Sequence, residues 1–252
     1  MAASNGDFDI VRFLLDSGLC AEGTDWTPVH VACSKGHGQL IPVMVHEEMD
    51  LEPTDEGTTA LYMACVSRNE KAVRYLLRRG VTADVRDDGG WTPLHEACCS
   101  GEEEIMRMLL KKGASVDAVN QRGLTPFHVA CEYDQIDILD LLLHVDGGAA
   151  TDTRSVSGDT PLHSASFFGH LRVVQWLTDK GADLVAGNNT GNTPLHSACT
   201  RGHEEIAKLL LDGGANMEAK NHEGDTPVQM ARMNGHTHLQ TMLESMGAVI
   251  NL

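Results

Sequence analysis

A short motif repeats along this chain at an almost constant interval. The tetrapeptide Thr-Pro-Leu-His, or a close variant of it, begins at Thr27, Thr59, Thr92, Thr125, Thr160, Thr193 and Thr226. Successive copies are therefore 32, 33, 33, 35, 33 and 33 residues apart. A period in this range is typical of a stack of identical supersecondary units, each contacting only its neighbours. Such a stack offers an extended binding surface and no obvious reaction chamber.

The copy around Thr92 predicts the first half of the repeat. Residues 87–90 are two Asp and two Gly, which favour a tight turn with positive φ. Thr92 follows at a position suited to an N-cap, and Pro93 follows at the first helical position, where its missing N–H costs nothing. We predict a short helix that runs to about Cys99 and stops at Gly101.

A second helix is predicted directly after the first. Its apolar residues have helical spacing on one face and are Ile105, Met106, Leu109 and Leu110. Gly113 then closes the helix as a left-handed residue. Because isolated helices shorter than about 12–15 residues are marginal in water, the apolar faces must be buried on neighbouring repeats.

These features resemble the ankyrin-repeat family, whose signature is Thr-Pro-Leu-His-x-Ala. A Gly-His break and a Gly-Ala pair recur in the same register. They lie at Gly36-His37, Gly169-His170, Gly202-His203 and Gly235-His236, and at Gly113-Ala114, Gly181-Ala182, Gly214-Ala215 and Gly247-Ala248. The resemblance covers essentially the whole chain and implies an all-α solenoid of helix–turn–helix units with hairpin-like fingers. It also implies that each tetrapeptide His hydrogen-bonds within and between the turns.

Aligned in this way, the chain is predicted to form a single ankyrin-repeat domain over residues 1–252. It would contain about seven repeats and an N-terminal half repeat. The predicted boundaries are 1–21 for the partial repeat, then 22–53, 54–86, 87–119, 120–154, 155–187 and 188–220, with a C-terminal capping repeat at 221–252. The incomplete first unit indicates either an excised fragment or a degenerate first repeat.

Charge and hydropathy narrow the class of partner. The formal net charge of −17 disfavours a nucleic-acid phosphate backbone and favours a basic protein. No apolar run approaches the roughly 18–20 residues of a membrane span, and no signal peptide is evident. One acidic cluster contains Glu47, Glu48, Asp50, Glu52, Asp55 and Glu56. Either it is a solvated face, or it receives Lys and Arg side chains of a partner.

Most of the cysteines fall in one register of the repeat. Cys33, Cys65, Cys98, Cys131 and Cys199 all lie three residues after the tetrapeptide His or its Tyr substitute. Stacked helices are about 8–10 Å apart, which is too far for a disulfide. We therefore expect small buried hydrophobic residues and a reducing compartment, namely the cytoplasm or the nucleus.

Catalytic and metal-binding chemistry finds little support. The chain has thirteen His, but five of them end the tetrapeptides and are distributed one per layer. A zinc site needs three or four ligands that converge on one point. Neither a nucleophile elbow, nor a phosphate-binding Gly-rich loop, nor a His-Glu-x-x-His motif is present. The sequence thus predicts a chain without enzymatic activity, cofactor or metal.

Candidate partner-binding residues lie at the positions that vary between repeats. In ankyrin repeats, these are the residue before the Thr and the two that close the first helix, which line the concave face. The candidates at these positions are Trp26, Trp91, Leu124, Glu132, Tyr133, Phe167, Phe168 and Arg201. We expect Trp91, Leu124, Tyr133, Phe167 and Phe168, which lie on consecutive repeats, to form one exposed apolar patch, since such patches and residues mark binding sites. Alternatively, Phe167 and Phe168 pack on each other or on fingers.

Three functions are compatible with these residues. The first is a non-enzymatic scaffold or adaptor that binds a basic and apolar partner as a monomer. The second is a targeting or regulatory module of a larger enzyme, channel or signalling protein. The third is a proteasome assembly chaperone, because residues 87–95, 118–121 and 226–229 are similar to gankyrin-type proteins. Co-purification with a proteasomal ATPase would favour the third.

Overall fold

The computed structural model describes residues 28–37, 59–145 and 150–248. The chain divides into two compact units, Met1–Gln121 and Arg122–Leu252. Every regular element among the described residues is an α-helix, and short helices that follow one another in the chain pack together within each unit. This is the all-α repeat architecture predicted from the sequence.

The first unit contains the following helices. They are α1 (Pro28–Ser34), α2 (Ala60–Val66), α3 (Glu70–Arg78), α4 (Pro93–Ser100) and α5 (Glu103–Lys111). The second unit continues the same alternation of a first helix and a second helix. Its helices are α6 (Pro126–Glu132), α7 (Ile136–His144), α8 (Pro161–Phe168), α9 (Leu171–Asp179), α10 (Pro194–Arg201), α11 (Glu204–Asp212), α12 (Pro227–Met233) and α13 (Thr237–Ser245).

The tetrapeptide begins α4, α6, α8, α10 and α12 with a capping box. At the start of α4, the backbone N–H of Thr92 donates to His95 Nδ1 at 3.2 Å. In return, the backbone N–H of His95 donates to Thr92 Oγ1 at 3.3 Å. Two backbone donors that the helix leaves unpaired are thereby satisfied, which explains why Thr and His recur three residues apart. In α12, Gln229 replaces the His and its Oε1 accepts from the backbone N–H of Thr226 at 2.7 Å.

The same histidines also link successive repeats of the second unit. Their Nε2 atoms lie at hydrogen-bond distance from the carbonyl oxygen of the residue before the next Thr. The pairs are His128 to Asp159 at 3.2 Å, His163 to Asn192 at 2.8 Å and His196 to Asp225 at 3.1 Å. Because Nδ1 accepts from the Thr backbone, Nε2 carries the proton and donates it. The role implied by the family resemblance is confirmed here.

A second histidine ladder, which the sequence did not predict, explains the Gly-His break. The Nε2 atoms of His170, His203 and His236 lie at 2.8–3.0 Å from the carbonyl oxygens of Glu132, Phe167 and Thr200. Each acceptor lies near the C-terminal end of the preceding first helix, where carbonyls lack partners within the helix. These histidines therefore cap helix ends in the adjacent repeat.

The cysteine register forms part of the core. Cys33, Cys65, Cys98, Cys131 and Cys199 are free thiols and fully buried. Burial raises the pKa of these thiols, to about 12 in Cys33 and Cys199, so they remain neutral. The prediction that they are small hydrophobic residues is confirmed.

Ser166 occupies the cysteine position in its repeat and breaks this pattern. Its hydroxyl is fully buried and, among the described residues, has no hydrogen-bond partner. An unsatisfied buried hydroxyl costs about 1–3 kcal/mol. We expect Ser166→Ala to raise the free energy of unfolding by about 1 kcal/mol, as measured by urea denaturation.

Ser197→Ala is the matched control, because Ser197 lies on a first helix but is only half-buried. It is expected to change stability by less than about 0.5 kcal/mol. A Ser166→Ala variant less stable than the wild type would contradict the prediction.

Candidate functional site

A groove runs along the second unit and has a volume of about 290 Å³. Its walls combine the C-terminal ends of first helices with the turns that precede the Thr caps. The residues that line it are Arg122, Glu132, Asp159, His163, Ser164, Phe167, Phe168, Asn188, Asn192, Ser197, Thr200 and Met230. We refer to this set as the inner groove.

The aromatic side chains Phe167 and Phe168 form one wall of the inner groove. Their rings meet edge to face with centroids 5.3 Å apart, at the end of α8. They nevertheless remain 37% and 46% exposed. Each therefore packs on the other, yet the pair keeps a large apolar surface open to a ligand.

The side chains of Arg201 and His170 each contact one ring of this aromatic pair. The guanidinium carbon of Arg201, at the end of α10, lies 4.9 Å from the centroid of the Phe167 ring. The imidazole of His170 stacks on Phe168 with centroids 6.3 Å apart and an interplanar angle of 15°. The Arg201 contact is a cation–π interaction that orients the guanidinium beside the groove.

The predicted apolar patch differs in composition from the surface observed. Tyr133, directly after α6, is 49% exposed but is not among the residues that line the inner groove. Leu124 is only 2% exposed, so its inclusion in an exposed patch was wrong. Leu124 immediately precedes the Thr125 cap, and its side chain packs into the core instead of facing solvent.

Glu132 lines the groove but is not available as a free carboxylate. Its side chain is 5% exposed, whereas that of Arg122 is 61% exposed. The two side chains form a bidentate pair, with Arg122 Nη1 3.2 Å from Oε2 and Nη2 3.0 Å from Oε1. Arg122 thus neutralises the buried carboxylate, so the expectation that Glu132 is presented to a partner needs correction.

The inner groove also has polar lining residues, which a network of turn side chains holds in place. Asn188 Nδ2 donates to Asp159 Oδ1 at 2.7 Å, and Asn221 Nδ2 donates to Asn192 Oδ1 at 2.9 Å. Asp159 and Asn192 immediately precede the Thr caps, which places them at corresponding positions of neighbouring turns. This network fixes hydrogen-bonding groups along the groove before any ligand binds.

Several of these residues were absent from the sequence-based candidate set. Asp159, Asn192 and Thr200 line the groove and occupy variable positions of the repeat, but they were not among the candidates. Ser164, Ser197 and Met230 lie one residue after the tetrapeptide His or Gln, a position whose variation between repeats is visible in the sequence. Variation at this position could have identified these three residues as candidates from the sequence.

Trp91 belongs to the first unit. Its indole is half-buried and lies against the His95 ring, with centroids 5.7 Å apart. Its backbone N–H donates to Asp87 Oδ1 at 2.7 Å, which fixes the turn before α4. Much of the ring is therefore engaged in packing.

An acidic and aromatic cluster lies near this turn. The pKa of the Glu96 carboxyl is raised mainly by burial, and the negative charge of Asp87 raises it further. Burial also raises the pKa of the Tyr62 phenol, as do Glu96 and Asp87. Val66, at the end of α2, is exposed on the same unit. The two pKa shifts favour the neutral forms of Glu96 and Tyr62.

The other candidates fall outside the described residues. They are Trp26 and the acidic residues Glu47, Glu48, Asp50, Glu52, Asp55 and Glu56. Within the described ranges, no group of three or more His, Cys, Asp or Glu side chains is arranged to hold a metal ion. None of the helices in these ranges is long and apolar enough to cross a membrane.

Comparison with known proteins identifies the repeat. Family models described as ankyrin repeats match residues 1–87, 39–120 and 79–155, and a second ankyrin-repeat model matches 149–178, 162–211 and 195–243. The chain belongs to the ankyrin-repeat family. Repeats of this family are protein–protein interaction modules and are typically not enzymes.

The similar curated proteins share only part of their length with this chain. It is 32% identical over 91 residues to a transient receptor potential cation channel subfamily A member 1 homolog of Caenorhabditis elegans, which covers 35% of this chain and 8% of the channel. It is 37% identical over 67 residues to an ankyrin repeat-containing protein of Schizosaccharomyces pombe, covering 25% and 32%. It is 31% identical over 91 residues to mouse ankyrin repeat and SAM domain-containing protein 6, covering 34% and 10%. The matched region thus spans at most about a third of each relative.

Proposed function

We propose that this chain is a non-enzymatic scaffold or adaptor that binds a partner protein through the inner groove of its second unit. The observation that carries the proposal is the exposed edge-to-face pair Phe167 and Phe168. Exposed aromatic side chains at a groove are costly in water and are enriched among residues that dominate binding energy. The polar residues that line the same groove supply hydrogen bonds that orient a bound segment.

The partner we propose is a protein that presents basic and apolar side chains, and not a nucleic acid. Acidic residues number 36 against 19 Lys and Arg, so the field around the chain repels phosphates and attracts cations. The six acidic candidates from Glu47 to Glu56 would add to this attraction. We propose that the chain acts as a monomer in the cytoplasm, where its buried free thiols stay reduced.

A peptide selection tests the role of the aromatic pair. A phage-displayed library of random peptides is selected on the intact chain, and the affinity of the best binders is measured by fluorescence polarisation. We expect Phe167→Ala with Phe168→Ala to weaken binding by at least about tenfold, because truncation of hot-spot residues costs more than about 1–2 kcal/mol.

Val156→Ala is the matched control, since Val156 is an exposed apolar residue of the same unit that does not line the inner groove. Circular dichroism checks that both variants keep the helical fold. Equal affinities of the wild type and the double Phe variant for the selected peptides would refute the proposal.

A second candidate function is a targeting or regulatory module within a larger protein. It is favoured by the low coverage of the relatives, two of which carry names of a cation channel homolog and a SAM domain-containing protein. Transcript mapping tests it: an in-frame catalytic or membrane segment upstream of Met1 would decide for this candidate, and an upstream stop codon in frame would decide against it.

A further inference from the structure

The inner groove is lined by two carboxylates, and only one of them is paired with a cationic side chain. Glu132 forms its bidentate pair with Arg122 and is buried. Asp159 has no such cation: among the described residues, no Lys or Arg nitrogen lies within 4 Å of its carboxylate. The groove therefore contains one uncompensated negative charge, at Asp159.

This carboxylate is held in place by the turn around it. The backbone N–H of Asp159 donates to Ser155 Oγ at 3.1 Å, and its carbonyl accepts from His128 Nε2 at 3.2 Å. The Asn188 amide that binds Oδ1 is itself fixed, because its Oδ1 accepts from the backbone N–H groups of Thr190 and Asn192, both at 3.0 Å. The charge is therefore preorganised and loses little conformational entropy on pairing.

A carboxylate retains acceptor capacity after a single hydrogen bond, because its two oxygens offer about four lone-pair sites. Asp159 accepts one described side-chain hydrogen bond, from Asn188. A guanidinium or ammonium group is the donor that pairs best with the remaining sites. The apolar side chains that line the same groove are Phe167, Phe168 and Met230.

We propose that the inner groove selects a protein segment by a Lys or Arg side chain that pairs with Asp159, next to an apolar side chain that packs on Phe167 and Phe168. This inference rests on the proposed function and specifies which residue recognises the basic side chain. Arg122 does not compete for Asp159, because its guanidinium is engaged with Glu132. The net charge of −17 favours the approach of such a segment.

The test repeats the phage selection with Asp159→Asn and Asp212→Asn. Asn is isosteric with Asp and keeps an oxygen for the Asn188 hydrogen bond, so the turn is preserved. Asp212 is an exposed acid at the end of α11, outside the inner groove, and its variant removes the same formal charge.

We expect wild-type peptides to be enriched in Lys or Arg beside an aromatic or aliphatic residue. Asp159→Asn should bind these peptides on the order of tenfold more weakly and with a smaller salt dependence. Asp212→Asn should bind them like the wild type. Peptides that lack a basic residue, or equal binding by Asp159→Asn and wild type, would overturn the inference.

The outcomes also separate this inference from the proposed function. If peptides are selected and depend on Phe167 and Phe168 but not on Asp159, the groove binds protein and the basic-residue inference is wrong. If the wild type enriches no peptide over the double Phe variant, both the proposed function and this inference are wrong.

Discussion

Replacement of Arg122 by Met is expected to lower the free energy of unfolding by about 3 kcal/mol, because it leaves a buried carboxylate without its counter-charge. The Glu132 side chain is 5% exposed, and each of its carboxylate oxygens accepts a hydrogen bond from Arg122. Without the guanidinium, the fold must either bury an unpaired charge or open the end of α6 to water. Urea denaturation followed by far-ultraviolet circular dichroism measures the loss.

The reverse substitution should cost much less. Glu132→Gln removes the negative charge that faces Arg122, but the Arg122 side chain is 61% exposed to solvent. We expect a loss of no more than about 1 kcal/mol for Glu132→Gln. The double variant Arg122→Met with Glu132→Gln should recover most of the stability lost in Arg122→Met. Equal losses in the two single variants would show that burial of the carboxylate is not what makes the pair important.

Stability of the second unit is expected to fall as the pH drops from about 6.5 towards 4. Burial is the largest cause that lowers the pKa of His128, to about 4, and it also lowers the pKa values of His163 and His196. Above pH 6.5 these imidazoles are neutral in the folded and in the unfolded state, so their titration does not change the free energy of unfolding. Below it, the unfolded chain binds protons that the folded chain does not, so protonation favours unfolding.

For His128 alone, the expected loss between pH 7 and pH 5 is about 2 kcal/mol, since one pKa unit corresponds to about 1.4 kcal/mol. Urea denaturation at the two pH values measures it in a range where carboxylates stay largely ionised. His128→Gln is the matched variant, because Gln229 forms the same capping bond in α12 without titrating. It should be less stable at pH 7 and show a shallower decline. An unchanged slope in His128→Gln would contradict the prediction.

Local signals were sufficient for much of the fold. Thr92, Pro93 and His95 specify where a first helix begins, because a capping box is formed by residues three positions apart. Gly101 specifies where that helix ends, and it adopts φ 73° as expected for a left-handed cap. Asp134 stands where other repeats have this glycine, and it also adopts a left-handed conformation, with φ 58°. The break between α6 and α7 is therefore kept without a glycine.

The candidate site was predicted less completely than the fold, because side-chain exposure and pairing depend on contacts between residues distant in the sequence. Phe167 and Phe168 were selected by their positions in the repeat, and the structure leaves their side chains 37% and 46% exposed. Leu124 follows the same positional rule but is only 2% exposed, and its position in the repeat alone does not predict that burial. Arg122 and Glu132 are ten residues apart, and nothing local in the sequence predicts that they pair.

The sequence by itself determined the repeat, its caps, its buried cysteines and its family, because each of these depends on residues a few positions apart or on a constant period. The tertiary structure decided which acid of the inner groove is neutralised and which is open. It also decided that Leu124 is buried while Phe168 is exposed. Charge compensation and solvent exposure arise from side chains brought together by stacking, and their free energies depend on distances that a linear pattern does not contain.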